Sequence, residues 1–393
     1  MYLTDLALKD FRSHRDVLVN LQPGVTALTG ANGQGKTNLV EAIAYLATLS
    51  SHRASNSSYL VRDQAGSAQI RAKLVRGERA LVISLELVPG KASRAKLGKN
   101  SVRPANLLGL TKVVCFVPED LALVKGGPEV RRRYLDQLLV QMRPALAGVM
   151  TDYERVVQQR TSLLKSIGAA SGTARQEAIS TLETWDERAA TFGGGLTANR
   201  MALVDDLAPL ISSAYQAIAP AGQVVAAYHG VLDLVGRPEA AVVTAGLLQA
   251  MTQNRQKEID RGVSLFGPHR EDLALSLDSL PARGYASHGE SWSLALALRL
   301  GSFQLMRQDA KDDPILILDD VFAELDNARR YRLTGLIGDV EQVIITAAVP
   351  SDVPTGLVDR WYQVSTEGVE PQDGPDGRTG KTGPEPATGA ADE

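Results

Sequence analysis

The sequence predicts an α/β protein with a mixed sheet and an inserted domain of helices. Two regions, residues 1–125 and 262–366, consist mainly of short apolar or alternating runs, which are typical of strands. The region between them, 126–261, carries apolar residues at three- and four-residue steps, which is typical of amphipathic helices. We therefore predict one discontinuous α/β domain, domain I, into which a helical arm, domain II, is inserted.

Individual elements follow from the same patterns. We predict strands at 68–75, 80–87, 113–117, 263–266, 273–277, 315–318 and 343–347, and a helix at 291–307. The last residues, 367–393, are rich in Gly, Pro, Thr and acidic residues and show no periodicity, so we predict a disordered tail there.

The overall composition limits the functions that the chain can have. With 393 residues and a net charge of −3 there is no general basic excess, so any DNA contact has to come from local patches. The single cysteine, Cys115, excludes a disulfide framework and a cysteine metal cluster. No signal peptide or membrane-spanning run occurs, so we expect a cytoplasmic protein without a membrane partner.

A phosphate-binding loop stands between a predicted strand and a predicted helix. The run from Gly30 to Thr37, G-A-N-G-Q-G-K-T, matches the P-loop pattern, in which glycines let backbone N–H groups face phosphate oxygens. Lys36 is predicted to neutralise the β- and γ-phosphates of ATP, and the Thr37 hydroxyl to coordinate Mg²⁺. The predicted ATP-binding residues here are Gly30, Ala31, Asn32, Gly33, Gln34, Gly35, Lys36, Thr37 and Asn38.

Two adjacent aspartates end another apolar run. Residues 315–318 predict a buried strand that delivers Asp319 and Asp320 at its carboxyl end, the edge at which ligands bind in open α/β sheets. Asp319 is predicted to meet Mg²⁺, directly or through water, and Asp320 to orient or deprotonate the attacking water. Taken alone, the pair also fits a strand end with a capping residue, but the upstream P-loop favours the functional interpretation.

A third candidate site precedes the helix predicted at 291–307. The run Ser287-His-Gly-Glu290 places a hydroxyl and a glycine amide at a helix N-terminus, which suits an anion. The same residues also match a capping box, in which the Ser287 and Glu290 side chains bind backbone N–H groups. The local sequence leaves both interpretations open.

Several segments taken together resemble a known family. The runs L-K-D-F-R-S-H, G-A-N-G-Q-G-K-T-N-L-V-E-A-I, S-H-G-E and L-I-L-D-D-V-F-A-E-L-D, with the helical insertion, are similar to the ABC-type ATPases of the SMC group. More narrowly, P-E-D-L-A-L-V-K-G-G-P-E-V-R-R-R-Y-L-D, Y-E-R-V-V-Q-Q-R and F-G-P-H-R-E-D-L resemble the RecF family of recombination mediators. The resemblance covers about residues 1–365, with the motifs in the expected order.

The resemblance implies an architecture and a set of residue roles. The fold would be an ABC-type P-loop ATPase head, carrying the arm, that forms a head-to-tail homodimer over two ATP molecules and binds DNA. In this dimer Ser287 and Gly289 of one subunit would contact the γ-phosphate on the P-loop of the other. The implied roles are catalysis for Asp320, Lys36 and Ser287, metal binding for Thr37 and Asp319, nucleotide contacts for Arg12, Ser13 and His14, and interface contacts for Glu324 and Asp326.

The resemblance also implies a function and partners. The chain would be a slow, DNA-stimulated ATPase that uses hydrolysis as a switch, supports recombinase loading at gapped or single-stranded DNA, and acts with the mediators RecO and RecR. DNA contacts would be to the backbone, because no sequence-reading motif occurs. Two alternatives share the ATPase motifs, a transporter ATPase subunit and an SMC-type DNA-bridging protein. The insertion is large for the first alternative and short for the second.

Three residues depart from the pattern of these ATPases. His288 stands where the signature commonly has glutamine, so its role is open. Asp320 replaces the glutamate of transporter ATPases, and this shorter carboxylate suggests slow turnover. Thr346 occupies the place of the switch histidine. The last two departures count against the transporter alternative.

Two basic runs are candidate DNA contacts. The first consists of Lys91, Arg94, Lys96, Lys99 and Arg103, with no acidic residue among them. The second, at 131–133, opens the first long helix of the insertion, where positive charge opposes the helix dipole and so favours a partner. For both runs the alternative is a solvated or structural role.

Overall fold

The chain consists of two compact units. The computed structural model describes residues 1–54, 56–310, 312–354 and 356–375. The first unit comprises Met1–Pro118 together with the chain from Ala310 onward, and the second comprises Glu119–Asp309. No helix of the described ranges combines the length and the apolar character needed to cross a membrane.

The first unit contains two six-stranded sheets. Its elements are β1 (Tyr2–Phe11), β2 (His14–Asn20), β3 (Gly24–Thr29), α1 (Lys36–Thr48), β4 (Ala68–Arg76), β5 (Arg79–Leu87), β6 (Arg94–Leu97), β7 (Asn100–Val102), β8 (Val113–Phe116), β12 (Ile315–Asp319), α10 (Asn327–Ile337), β13 (Gln342–Ala347), β14 (Arg360–Val364) and β15 (Val369–Gln372). One sheet is antiparallel, in the order β2-β1-β4-β5-β6-β7. The other is mixed, in the order β15-β14-β3-β13-β12-β8, and is parallel except for the β14–β15 hairpin.

The burial patterns of the two sheets differ, as their sequences require. Every residue of β12 and β13 is buried, including the polar Gln342, Thr346 and Asp319, as in a parallel sheet that is covered on both faces. Strand β4 instead alternates buried and exposed residues, so one face of the antiparallel sheet is open to solvent. In the mixed sheet β13 lies between β3 and β12, and the three strands are parallel. The P-loop after β3 and the aspartates at the end of β12 therefore emerge at the same edge.

The second unit is mainly helical. Its elements are α2 (Leu121–Lys125), α3 (Pro128–Met142), α4 (Leu146–Ala169), α5 (Gly172–Ile218), β9 (Val224–His229), α6 (Ala240–Gln253), α7 (Arg255–Arg261), β10 (Asp272–Leu277), β11 (Leu280–Pro281), α8 (Ala282–Tyr285) and α9 (His288–Ala310). The three strands form a small antiparallel sheet in the order β11-β10-β9. Residues of α4, α5 and α6 share a hydrophobic cluster that includes Val156, Ala190 and Leu247.

The prediction of a strand at 263–266 is wrong. Backbone groups of this segment bond to side chains and to the Glu258 carbonyl of the preceding helix, instead of to a neighbouring strand. The Leu265 N–H donates to Glu258 Oε1 at 2.7 Å, and the Ser264 carbonyl accepts from Arg270 Nε at 2.9 Å. Glu258 itself forms a fully buried ion pair with Arg160. A buried charge network therefore takes the place of the predicted strand.

The prediction of disorder is wrong for the first part of the tail. Residues Val369–Gln372, which the sequence assigns to a disordered tail beginning at 367, form β15 and pair with β14. The pairing with β14 provides backbone hydrogen bonds for this segment, which its polar composition does not indicate. Residues 376–393 of the predicted tail lie outside the described residues.

The predicted domain boundaries differ from those of the compact units. The sequence predicts domain I at 1–125 and 262–366 and domain II at 126–261, whereas residues 262–309 belong to the same compact unit as the helices. Strand β10 pairs with β9, and the Tyr134 hydroxyl of α3 donates to the Leu298 carbonyl of α9 at 2.9 Å. These bonds join both sides of the predicted boundary. The division into functional domains stays a prediction.

Candidate functional site

The loop between β3 and α1 has the backbone geometry of a phosphate cradle. Gly33 and Gly35 have φ angles of 84° and 98°, which residues with a side chain rarely adopt. A Cβ atom on Gly35 would also lie 2.6 Å from His14 Nε2. Gly35 is thus required both by its conformation and by a close neighbour. Gly35 is the N-cap residue of α1, so the N–H groups of the loop lie next to those of the helix N-terminus.

The Lys36 side chain is fixed along this loop. Its Nζ donates to the carbonyl oxygens of Gly30 at 2.6 Å and Ala31 at 3.1 Å, and the residue is 4% exposed. A lysine ammonium has three protons, so these bonds leave one for a phosphate oxygen. The cation is therefore held in place before any anion arrives, which lowers the cost of ordering it.

Asp319 connects the P-loop to the neighbouring strands. It is 1% exposed, and its Oδ1 accepts from Thr37 Oγ1 at 3.2 Å and from Thr346 Oγ1 at 2.5 Å. Thr346 lies opposite Asp319 in the ladder of β12 and β13, and its hydroxyl also accepts from the Asp320 N–H at 3.0 Å. A single threonine thus bonds to both aspartates of the predicted site.

The residues at this edge fit a magnesium ion. Thr37 Oγ1 and Asp319 Oδ1 are hard oxygen ligands that lie 3.2 Å apart. Two adjacent oxygens around an octahedral Mg²⁺, with bonds of about 2.1 Å, are roughly 3 Å apart. Thr37 and Asp319 would therefore hold the ion, which would supply positive charge beside the phosphates when bound.

Asp320 has an unusual backbone conformation. Its φ angle is 52°, in the left-handed region, and its side chain is half-buried. Such a conformation costs a non-glycine residue of the order of 1 kcal/mol, and it persists only where neighbouring groups fix it. The bond from the Asp320 N–H to Thr346 is one such constraint. Strain of this kind concentrates at functional sites, which agrees with the role predicted for Asp320.

The residues predicted beside the nucleotide pack against the P-loop. His14 Nε2 lies 3.0 Å from the Gly35 carbonyl, and Asn38 Nδ2 donates to Ser13 Oγ at 2.8 Å. Burial lowers the pKa of His14, and the bond to Gly35 offsets this only in part. The ring is then neutral at pH 7, and since a carbonyl can only accept, Nε2 carries the proton. Ser13 and His14 thus brace the loop from one side.

Arg12 is engaged by a buried carboxylate of α1. Its Nε and one terminal nitrogen donate to Glu41 at 2.9 and 2.7 Å, and its other terminal nitrogen donates to the Tyr59 carbonyl at 3.0 Å. Glu41 is fully buried. Burial alone would raise the pKa of Glu41, but the bonds from Arg12 and Ser51 hold it below its ordinary value. A nucleotide contact by Arg12 stays a prediction, while its bond to the P-loop helix is observed.

Replacing Arg12 with alanine should destabilise the first unit. The change leaves the buried Glu41 carboxylate without its bidentate partner, and we expect a loss of about 2 kcal/mol in the free energy of unfolding at pH 7. Because the folded-state pKa of Glu41 is lowered, the contribution of its charge is present above its ordinary pKa and is lost as the pH falls. Thermal unfolding at several pH values measures both effects.

Arg62→Ala is the matched control for this experiment. Arg62 pairs with Asp10 at 2.7 Å, but both side chains are partly exposed, so the loss should be below about 1 kcal/mol. Equal destabilisation by Arg12→Ala and Arg62→Ala would contradict the role assigned to the buried pair.

Gln34 ties the tip of the P-loop to the β14–β15 hairpin. Its Oε1 accepts from the Thr366 N–H at 2.9 Å. Ala31, Asn32 and Gly33, which precede it, are exposed. The loop is therefore anchored at Gln34 and open to solvent before it.

The predicted signature segment forms a capping box. The Ser287 N–H donates to Glu290 Oε2 at 2.8 Å, and the Glu290 N–H donates to Ser287 Oγ at 3.3 Å. His288 Nε2 accepts from Trp292 Nε1 at 3.0 Å, which orients its ring. Gly289 follows in the first turn of α9, and its carbonyl accepts from Ser293 Oγ at 2.9 Å. The structural interpretation is thus correct for Ser287, and its contact with a second subunit stays a prediction.

Other candidate residues have local roles. Asp326 caps α10 by accepting from the Arg329 N–H at 2.8 Å, and this bond lowers its pKa. In the basic run at 131–133, the Arg131 side chain is 7% exposed and bonds Asp272 through two nitrogens. Arg132 donates to the Glu271 carbonyl at 2.8 Å. Arg131 and Arg132 are therefore structural, and Arg133 is exposed.

Comparisons with known proteins identify the family. The family model described as RecF/RecN/SMC N terminal domain matches residues 2–368. Proteins named DNA replication and repair protein RecF from Beutenbergia cavernae and Frankia alni are each 50% identical to this chain. The matches cover 91% and 93% of this chain, and 96% and 98% of theirs. The chain belongs to the RecF family.

Solved structures agree with this assignment. A structure of the recombination mediator protein RecF-ATP in the RecFOR pathway has a TM-score of 0.85 and 26% identity, and the match covers 94% of this chain and 97% of that one. An Smc head bound to the C-winged helix domain of ScpA has a TM-score of 0.53 and 18% identity, covering 95% of this chain and 97% of that one, which shows the fold alone. The predicted fold class, an ABC-type P-loop ATPase head with a mixed sheet and a helical arm, is confirmed.

Two residues that sequence reasoning missed hold this RecF-family site together. The sequence places Thr346 at the position of the switch histidine but does not indicate its bonds to both aspartates. The second residue is Glu41, for which the sequence motifs indicate no role. A signal for it exists, because it is the one acidic residue in the run L-V-E-A-I of an otherwise apolar helix face. A charged residue at a core position calls for a buried partner.

Proposed function

We propose that this member of the RecF family acts in DNA replication and repair as an ATP-dependent recombination mediator. The observation that carries the proposal is the union of Lys36, Thr37, Asp319 and Asp320 at one edge of one sheet. The names of the relatives and the likeness to RecF-ATP support it. ATP with Mg²⁺ is the ligand that these residues suit, since the loop offers amides and a cation and the strand offers a carboxylate.

ATP works in this proposal as a switch for dimer formation. Within one chain, the P-loop and both aspartates belong to the first compact unit, and Ser287 and Gly289 belong to the second. Head-to-tail pairing of two chains would place Ser287 of one subunit on the γ-phosphate of the other. Only the ATP state then has added affinity for the dimer, and slow hydrolysis releases it.

DNA and two mediator proteins are the proposed partners. DNA binding is expected to be to backbone and shape at gapped or single-strand/double-strand junctions, and to stimulate ATP hydrolysis. The RecFOR pathway in the name of the solved relative supports partners of the RecO and RecR type. Sedimentation with ATP, ADP or no nucleotide, with and without gapped DNA, tests the proposal. Protein that stays monomeric with ATP and does not bind gapped DNA would contradict the proposal.

Replacing Asp320 with asparagine should separate ATP binding from hydrolysis. Asparagine keeps the size of the side chain but cannot accept a proton, so we expect ATP affinity to survive and hydrolysis to fall at least about tenfold. The ATP-bound dimer should live longer as a result. Phosphate release and sedimentation measure the two effects, and unchanged hydrolysis would make Asp320 only a strand-end residue.

A further inference from the structure

The solvent-facing side of the antiparallel sheet carries a groove across β4, β5, β6 and β7. Its volume is about 650 Å³. A smaller depression of about 330 Å³ continues on the same side of the sheet and shares Arg71 with it. Both lie within the first unit, on the face opposite the buried residues Ile70, Leu85 and Ala95.

Strand register explains the shape of the groove. Arg71 pairs with Ser84, Ser84 with Lys96, and Lys96 with Ser101, so these four side chains form one row across four strands. The small Ser84 forms the floor between the long Arg71 and Lys96 side chains, and Ser101 lies on the other side of Lys96. Strands are about 4.8 Å apart, so the two cations stand roughly 10 Å from each other.

Among the described residues, three of the four cations that line this groove have no acidic partner. The fourth, Arg94, pairs with Glu86, which also lines the groove, at 3.6 Å. In the ranges that the structure describes, Arg71, Lys96 and Arg103 form no ion pair, although all three are exposed and line the groove. Like charges gathered on one sheet face repel each other, so the site gains stability when an anion covers it.

The chemistry of the lining favours a phosphate backbone over bases. Among the described residues that line the groove none is aromatic, so these residues offer no platform on which unstacked bases can stack. Serine hydroxyls and unpaired cations are the groups that bind phosphate oxygens. We propose that this groove, with Arg71, Lys96 and Arg103 as its cations, binds the phosphate backbone of duplex DNA. The inference rests on the proposed function and assigns its duplex contact to one surface.

The structure divides the basic run seen in the sequence and so supplies a matched control. Arg94, Lys96 and Arg103 line the groove, whereas Lys91 and Lys99 lie in the turns after β5 and between β6 and β7, outside the lining. The double variant Arg71→Glu/Lys96→Glu therefore reverses charge in the groove. The variant Lys91→Glu/Lys99→Glu makes the same change of net charge beside it.

The experiment measures the affinity of the full-length protein, with ATP, for a labelled duplex and for a single strand of the same length. The groove variant should bind duplex at least about tenfold more weakly, and the control should stay within about twofold. The neutral variant Arg71→Gln/Lys96→Gln should reduce the slope of log affinity against log salt by about 2, because two phosphate contacts are lost. ATP affinity and thermal unfolding should be unchanged in all variants.

Several results would overturn the assignment. Unchanged duplex binding by the groove variant, or an equal loss in the control, would remove the groove as the contact. An equal loss of single-strand binding would remove the duplex preference, and equally tight binding of polyglutamate would show that the groove binds anions without selectivity. Wild-type protein that binds ATP but no DNA would defeat the proposed function as well as the groove. DNA binding that is intact in the groove variant defeats the groove alone.

Discussion

Lys36→Ala is expected to abolish ATP binding and every step that depends on it. The substitution removes a buried cation that has one proton left for a phosphate oxygen. Charge-assisted hydrogen bonds of this kind contribute about 3 kcal/mol, or roughly a hundredfold in affinity. It also removes the bonds that join the loop carbonyls of Gly30 and Ala31. Equilibrium binding of a fluorescent ATP analogue measures the loss.

Thr37→Ala separates the contribution of Mg²⁺ to ATP affinity from that of Lys36. Lys36 and its bonds to the loop are retained in this variant, but a magnesium ligand is lost. We therefore expect the remaining affinity for ATP to depend little on Mg²⁺, whereas wild-type affinity should depend on it strongly.

Unchanged ATP affinity in the Lys36→Ala variant would contradict the assignment of residues 30–37 as the P-loop.

The chain encodes the local parts of this site in patterns that can be recognised without a structure. The P-loop is one continuous run between a strand and a helix, and the aspartates directly follow an apolar strand, so pattern and position coincide. Parallel order then brings Thr37 within 3.2 Å of Asp319, as the shared sheet edge implies. Ligands bind at the carboxyl ends of parallel strands, and this rule alone assigns both runs to one site.

Contacts that depend on strand register or on buried partners were not predictable. Thr346 reaches Asp319 because β12 and β13 pair in one register, and a shift by one residue would turn its hydroxyl to the other face. The buried network of Arg160 and Glu258 likewise joins residues far apart in the chain and replaces a predicted strand. Periodicity describes neighbours along the chain and contains no information on these pairings.

The Ser287→Arg variant is expected to have the most specific effect, because it distinguishes a composite dimer site from a self-contained one. The P-loop and Asp319 are untouched, so ATP binding to the monomer should stay nearly intact. A bulky cation at a closing interface should prevent ATP-dependent dimerisation and hydrolysis. Sedimentation and phosphate release with ATP measure these two steps.

The capping box requires a control, since losing the Ser287 cap alone costs about 1 kcal/mol. Ser287→Asp keeps a capping oxygen, so thermal stability should be retained. Its negative charge, however, would stand beside the γ-phosphate of the other subunit and should also block dimerisation. If Ser287→Asp dimerises normally and Ser287→Arg fails only because it is less stable, Ser287 does no more than cap α9.

Mixing two defective variants settles the geometry. In a head-to-tail dimer of Ser287→Arg with Lys36→Ala, one site combines both lesions and the other combines an intact P-loop with an intact Ser287. Each variant alone should be inactive. If the mixed pair can still close with one arginine at the doubly defective site, some hydrolysis should return in proportion to the mixed dimer, and sedimentation of the mixture measures that closure. A self-contained site predicts no recovery, because Lys36→Ala cannot bind ATP and Ser287→Arg would carry its own lesion. Ser287→Arg protein that dimerises and hydrolyses ATP normally would exclude the composite site altogether.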